Sequence, residues 1–189
     1  MKRVRTLQVW TIGHSTRDIE EFIGLLAENR IEAVADVRSL PGSRKFAQFN
    51  AESLSETLPT AGIEYFPFKQ LGGRRKALKH SPHTVWRHPA FRGYADYMDT
   101  NDFRKGIGDL LELAAKRRTA IMCSEAVWWR CHRSMISDHL KSIGVTVTHI
   151  MAPGKTGEHP YTSAATIVDG GLTYRTSGDH EIAKKRLIE

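Results

Sequence analysis

Five short apolar runs alternate along the chain with segments that carry apolar residues at helical spacing. The runs lie at residues 7–12, 32–37, 63–68, 119–123 and 145–151. Each run has the length of a strand and is too short for a buried helix. Strands that alternate with helices build parallel βαβ units, in which helices cover the faces of the sheet. The sequence therefore predicts an α/β fold, a single three-layer domain with a mainly parallel sheet.

One long segment interrupts this alternation between the third and fourth predicted strands. Residues 69–88 are irregular and exceed the usual length of a connection in a compact domain. Apolar residues at helical spacing follow Pro89, which suits the first turn of a helix. We therefore predict an inserted basic loop-helix segment with a functional role. The turn-rich tail after residue 151 carries two further predicted strand pieces, at 165–168 and 172–175.

The positive charge of the chain is concentrated in three windows. The chain has 28 Lys and Arg residues against 21 Asp and Glu residues, a formal net charge of +7. Residues 37–51, 65–95 and 124–137 hold three, seven and two basic residues, with one acid, Glu125. These windows follow the second, third and fourth strands, whose carboxyl ends meet at one edge of a parallel sheet. The sequence therefore predicts one electropositive site at that edge.

A cluster of reactive side chains spans the end of the fourth strand and the start of the next helix. It consists of Cys123, Glu125, Cys131, His132 and Arg133. The N–H groups and dipole at a helix N-terminus bind anions and lower the pKa of a thiol. We predict that Cys131 is a nucleophile or a thiol that helps to hold the site, with Cys123 beside it. His132 is then the acid–base group, Glu125 orients it, and Arg133 binds phosphate. The alternative is that both cysteines are buried for packing alone.

Polar residues also follow the first and second strands. His14 lies in the turn after the first strand and is a candidate acid or base near neutral pH. Asp36 ends the second strand and either orients His14 or pairs with Arg38. Arg38 and Arg44 suit bidentate binding of phosphate oxygens. The alternatives are a turn that only caps the next helix, with His14 exposed, and a structural salt bridge at Asp36.

Aromatic and basic residues are interleaved in residues 65–95. Basic side chains neutralise phosphates, and aromatic rings stack on bases. Trp128 and Trp129 add two rings just before Cys131, and in an extended segment both cannot face the core. We expect at least half of these aromatic residues to be core residues. The predicted phosphate- or nucleic-acid-binding set is Arg38, Arg44, Arg74, Arg75, Lys76, Arg133 and Trp128.

Five ordered elements resemble the bacterial and archaeal family known as domain of unknown function 488. They are Thr11-Ile12-Gly13-His14-Ser15, Asp36-Val37-Arg38-Ser39-x-Pro41-x-Ser43, Leu71-Gly72-Gly73, Cys123-x-Glu125 with Cys131-His132-Arg133, and His149-Ile150. The resemblance implies a single α/β domain over residues 1–189. Its family core is residues 7–151, and residues 152–189 are a C-terminal extension. The resemblance implies no particular reaction.

These residues support three functions. The first is an enzyme that acts on a phosphate-bearing substrate, a nucleotide or nucleic acid, at the basic Cys/His/Arg site. The second is a nucleic-acid-binding module without catalysis, which needs only the basic surface. A reactive cluster that lines an open pocket favours the enzyme, whereas a buried and fully hydrogen-bonded one favours the module.

The third function is a metal- or thiol-redox protein that uses Cys123 and Cys131. The chain has no C-x2-C pair, and adjacent Cys and His residues such as Cys131 and His132 rarely point at one ion, so we assign no metal ligand. The sequence does not identify a cofactor. His14 is a further conceivable donor. The sequence shows neither a signal peptide nor a transmembrane run, so we expect a cytoplasmic protein without a membrane partner.

Overall fold

A six-stranded sheet lies between two layers of helices. The computed structural model describes residues 6–176. Within them the strands of the sheet are β1 (Gln8–Gly13), β2 (Ala33–Asp36), β3 (Glu64–Pro67), β4 (Thr119–Cys123), β5 (Thr146–Ala152) and β6 (Lys155–Glu158). Their order is β3-β2-β4-β1-β5-β6, with β1 to β5 parallel and β6 antiparallel to β5. The predicted α/β class with a mainly parallel sheet is confirmed.

The helices of the described residues divide between the two faces of the sheet. They are α1 (Ile19–Glu28), α2 (Ala51–Thr60), α3 (Pro89–Met98), α4 (Asn101–Lys116) and α5 (Arg133–Ser142). Successive side chains of a strand point to opposite faces. In β4, Met122 therefore packs with α1 and α2, whereas Ile121 and Cys123 pack with α3, α4 and α5. Cys123 is thus the last core residue of its strand.

Two local features differ from the sequence predictions. The N-terminus of α1 is capped by Asp18, whose Oδ1 accepts a hydrogen bond from the N–H of Glu21 at 2.6 Å. The turn at His14 is consequently free of a capping role. Strand β6 was not predicted, because its four residues, Lys155–Glu158, are largely exposed and carry no apolar alternation.

The chain after β6 forms a small antiparallel pair, β7 (Thr166–Val168) and β8 (Gly171–Thr173), close to the predicted strand pieces. It is tied to α5 by Tyr174, whose hydroxyl donates to Asp138 Oδ2 at 2.9 Å. The division of the chain at residue 151 stays a prediction, and its final residues, 177–189, lie outside the described part. None of the described helices has the length and apolar character needed to cross a membrane.

Candidate functional site

A cleft of about 700 Å³ opens at the carboxyl edge of the sheet. Each of the three basic windows contributes to its walls, because strands β2, β3 and β4 all end at this edge. Seven of the predicted site residues line it: His14, Arg38, Arg74, Cys123, Glu125, Cys131 and His132. The arrangement therefore places reactive and cationic side chains in one open space.

The two thiols and one imidazole converge at the floor of this cleft. Nδ1 of His132 lies 3.6 Å from Sγ of Cys131 and 4.0 Å from Sγ of Cys123. The other ring nitrogen, Nε2, donates to the carbonyl of Val37 at 3.0 Å. A carbonyl only accepts, so the proton of a neutral His132 is on Nε2. The lone pair of Nδ1 consequently faces both sulfur atoms.

Both thiols are buried, but their surroundings shift their pKa values in opposite directions. The Cys123 thiol donates a hydrogen bond to Cys131, which lowers the pKa of Cys131 to about 6 against the opposing effect of burial. The charge and N–H groups of Arg133 at the start of α5 act in the same direction. The same pairing, together with burial, raises the pKa of Cys123 to about 12. Cys131 is therefore the more acidic of the two thiols.

The same three residues are a possible metal-binding group. Their donor atoms all lie within 4.8 Å of one another, and within residues 6–176 no other His, Cys, Asp or Glu joins the group. The expectation that Cys131 and His132 point at different places is wrong. A short 3₁₀ turn, Trp128–Arg130, leads directly into Cys131 and α5, and the change of direction brings both donors to one side. His14 lies outside the group.

His14 and Arg38 form a second cluster on the opposite wall. His14 Nδ1 donates to the Ser15 carbonyl at 3.0 Å, so its Nε2 accepts from Arg38 Nη1 at 3.3 Å. Burial, followed by the charge of Arg38, lowers the pKa of His14 to about 4. The ring is buried and stacks on Phe49 with centroids 4.3 Å apart. His14 is therefore a neutral acceptor that positions Arg38.

Arg38 itself is held by Asp36. Its Nε and Nη2 donate to the two carboxylate oxygens at 2.8 Å and 2.6 Å, and Nη2 also donates to the carbonyl of Phe49. With His14 on Nη1, four of the five N–H groups have partners, and one N–H of Nη1 is left for a ligand. Asp36 lies beneath the cleft rather than in its wall. Its placement fits the predicted salt bridge and the positioning role.

Arg133 is buried beneath the cleft and does not line it, in contrast to its predicted role as a phosphate ligand. Its Nη2 donates to the carbonyl of Glu125, and its Nη1 donates to Thr11 Oγ1 at 3.3 Å. Gly13 makes room for this contact, since a Cβ there would overlap the Glu125 carbonyl. Arg133 therefore holds the loop after β4 against β1, while the side chain of Glu125 stays exposed in the cleft.

The model of the family described as Domain of unknown function DUF488 matches residues 18–140. The chain belongs to the DUF488 family. No curated protein and no solved structure matches it. The matched range contains Arg38, Arg74 and the entire Cys123/Cys131/His132 group, whereas His14 precedes it.

A chain of buried hydrogen bonds behind the cleft of this DUF488 protein was not found from the sequence. Asp138 Oδ1 accepts from His159 Nε2 at 2.9 Å, and His159 Nδ1 accepts from His149 Nε2 at 2.9 Å. His149 Nδ1 accepts from Thr11 Oγ1 at 2.7 Å, which leads to Arg133. Burial, then the charges of His159 and Arg133, lower the pKa of His149 to about 3. His149 belongs to one of the family elements, but no motif or periodicity links it to His159 or Asp138.

Trp129, rather than Trp128, faces the cleft. Trp128 stacks on His149 with ring centroids 4.3 Å apart and an interplanar angle of 3°, which leaves it half-buried. Trp129 meets the edge of Trp128 at 5.4 Å, is 54% exposed and lines the cleft next to Arg130. The expectation that at least one of the two rings is partly exposed is confirmed, although the segment is a 3₁₀ turn and not extended. The exposed ring is the one outside the predicted binding set.

The remaining predicted basic residues lie outside the walls of the cleft. Arg75 lies over the ring of Tyr97 at 3.6 Å and donates to the carbonyl of Gly72 at 3.0 Å, so it is held in the structure. Arg44 and Lys76 are exposed on the loops that border the cleft. Their roles in binding stay predictions.

Proposed function

We propose that this protein is an enzyme that binds a phosphate-bearing substrate in the cleft, a nucleotide or single-stranded nucleic acid. The observation that carries the proposal is the composition of this one space. It holds a cluster of Cys123, Cys131 and His132, an exposed carboxylate, and three arginines. A protein that only binds has no need of thiols and an imidazole in an open cleft. The cluster lines the cleft although its two thiols are buried, and this position supports catalysis over binding alone.

The side chains divide into binding and reactive groups. The free N–H of Arg38 and the exposed guanidinium groups of Arg74 and Arg130 suit phosphate oxygens, because charge-assisted hydrogen bonds are strong. The exposed ring of Trp129 suits a nucleobase. Glu125 presents its carboxylate to the same space and is the candidate acid–base group. The Cys123/Cys131/His132 group provides the reactive centre.

Binding and turnover by the wild-type protein test the proposal. Nucleoside mono-, di- and triphosphates and labelled single-stranded DNA and RNA are assayed at two salt concentrations, and products are identified by mass spectrometry. We expect salt-sensitive binding, because phosphate contacts release counterions. We expect Arg74→Ala to weaken binding about tenfold, the effect of one charge-assisted hydrogen bond. Lys79→Ala, an exposed basic residue outside the cleft, is the matched control.

Cys131→Ser separates chemistry from binding. We expect this variant to bind the same ligands with unchanged affinity and to lose turnover by at least about a hundredfold, as for other reactive groups. Turnover that is equal in Cys131→Ser and the wild type would refute the proposed role of Cys131 in the chemistry, and no turnover of any ligand by the wild type would refute the enzyme proposal. Binding of nucleic acid with no turnover of any compound in the panel would favour the nucleic-acid-binding module. The observation that supports this alternative is the exposed Trp129 beside Arg130.

The compartment is part of the same proposal. Both cysteines of the chain are free thiols within a few ångströms of one imidazole. Thiols persist in reducing compartments such as the cytoplasm. We therefore propose a cytoplasmic enzyme.

A further inference from the structure

The distances within the Cys123/Cys131/His132 group match those of a tetrahedral metal site. Zinc–sulfur and zinc–nitrogen bonds of about 2.3 Å and 2.05 Å at a tetrahedral angle place sulfur and nitrogen about 3.6 Å apart, and two sulfurs about 3.8 Å apart. The two sulfur–nitrogen distances are 3.6 Å and 4.0 Å, and the three donors lie within 4.8 Å of one another. A zinc ion would therefore have to draw the sulfurs together by at most about 1 Å.

The imidazole is oriented in the way that metal-binding histidines require. A ligating histidine donates its second N–H to a carboxylate or backbone carbonyl, which turns the other nitrogen to the ion. His132 donates Nε2–H to the Val37 carbonyl at 3.0 Å, and its Nδ1 faces both sulfurs. Gly73 lies so close to this ring that a Cβ at position 73 would be 3.0 Å from Nδ1. The β2 end and the loop after β3 thus set the ring orientation independently of the thiols.

Within residues 6–176 the group has three donors, and it borders the cleft. All three residues line the cleft, and in the described part of the chain no fourth His, Cys, Asp or Glu donor completes a tetrahedron. Closed sets of four protein ligands are typical of structural zinc, whereas three protein ligands and one open position are typical of catalytic zinc. We propose that Cys123, Cys131 and His132 bind one Zn²⁺ ion whose fourth position faces the cleft.

Binding forms two zinc–sulfur bonds and one zinc–nitrogen bond, and the thiol protons are released to solvent. The open position then takes a water molecule or a substrate oxygen, in the cleft that Glu125 also lines. Both cysteines act as ligands in this state, so Cys131 helps to hold the site. The inference goes beyond the proposed function, because metal binding can be measured without a substrate.

The test is zinc binding by the full chain under reducing conditions. Protein stripped with a chelator is titrated with Zn²⁺ against a chromophoric competitor, and the bound metal is counted by elemental analysis. We expect one Zn²⁺ per chain. Cys123→Ser, Cys131→Ser and His132→Ala each remove one ligand and should weaken binding at least about a hundredfold, more than the loss of an outer partner. His88→Ala removes another imidazole of the cleft and should change the affinity less than about threefold.

Cobalt gives a readout that separates ligand loss from unfolding. Co²⁺ bound by Cys123 and Cys131 shows a sulfur-to-cobalt charge-transfer band, and its visible bands report tetrahedral geometry. Each serine variant should lose part of the charge-transfer band while its metal-free form keeps the circular dichroism and thermal unfolding of the metal-free wild type. Substoichiometric zinc in the wild type, or zinc affinity unchanged in the Cys123→Ser/Cys131→Ser double variant, would overturn the inference.

The two proposals fail differently. Turnover of a phosphate-bearing substrate by chelated protein, with no zinc bound on titration, would refute the metal site and leave the enzyme proposal standing. Stoichiometric zinc held by Cys123, Cys131 and His132, with no binding and no turnover of a phosphate-bearing compound, would refute the enzyme proposal and leave the metal site standing.

Discussion

The buried histidine chain makes the stability of the protein sensitive to acid. His149 is buried, and burial followed by the charges of His159 and Arg133 lowers its pKa from 6.5 to about 3. In the unfolded chain the same imidazole has its ordinary pKa of 6.5. Below pH 6.5 the unfolded state therefore binds a proton at His149 that the folded state excludes. The free energy of unfolding consequently decreases as the pH falls from 6.5 towards 3.

The size of this effect follows from the shift. One pKa unit corresponds to about 1.36 kcal/mol, so at pH 5 the unfolded state has gained roughly 2 kcal/mol from protonation of His149. Titrating groups that do not contact His149, such as His14, contribute equally to the wild type and to His149→Asn. The variant should therefore lose roughly 2 kcal/mol less than the wild type between pH 7.5 and pH 5.

Urea unfolding at the two pH values, followed by tryptophan fluorescence, measures this difference. Substitution of His149 also removes hydrogen bonds, so the variant is expected to be less stable at both pH values. Only the change in unfolding free energy with pH tests the argument. An equal loss in the wild type and in His149→Asn would refute it, because His149 would then titrate alike in the folded and unfolded states.

Three further predictions concern the cleft and the residues that support it. Gly13→Ala places a Cβ against the Glu125 carbonyl and should lower the free energy of unfolding, measured with urea, by about 3 kcal/mol or more. The control Gly24→Ala, in open space on α1, should raise the free energy of unfolding by roughly 0.5–1 kcal/mol in the same assay. Asp36→Asn leaves the buried Arg38 without its counter-charge and should destabilise by about 3 kcal/mol, measured by thermal unfolding. Trp129→Leu should leave stability within about 0.5 kcal/mol and weaken nucleotide binding at least about fivefold, measured by calorimetry.

Each of these three ideas has a contrary outcome. A Gly13→Ala protein as stable as the wild type would mean that the loop after β4 moves without cost. An unchanged melting temperature for Asp36→Asn would mean that the amide serves Arg38 as well as the carboxylate does. Nucleotide affinity that is equal with and without the Trp129 ring would remove base stacking from the proposed function.

Most of the fold could be predicted because its signals are local. The run at 119–123 coincides with β4, and the other parallel strands lie within a few residues of their predicted bounds. Strand β6 escaped prediction, because an exposed antiparallel edge strand is formed by pairing with β5 rather than by its own hydrophobic pattern. The alternation of strand-like and helix-like hydrophobic patterns therefore predicts the parallel strands of the sheet better than its antiparallel edge strand.

The candidate site was predicted in its location and only partly in its members. The edge followed from strand direction, so the basic windows and the Cys, Glu and His residues of the loop after β4 could be placed there. Arg133 was predicted beside them in the cleft, but its guanidinium faces inward to Thr11, 122 positions away in the chain. Sequence spacing gives no information on such a contact.

The sequence alone determined the α/β class and the edge at which reactive and basic residues gather. Both depend on periodicity and on strand direction, which act over a few residues and along one strand. Only the tertiary structure decided which side chains face the cleft and which lie beneath it. The hydrogen bond from His132 to the Val37 carbonyl, 95 positions away, turns the Nδ1 atom of His132 towards both sulfurs. Trp128 stacks on His149, and Trp129 beside it is exposed in the cleft. These orientations follow from contacts between distant segments, which exist only once the sheet and its helices have packed.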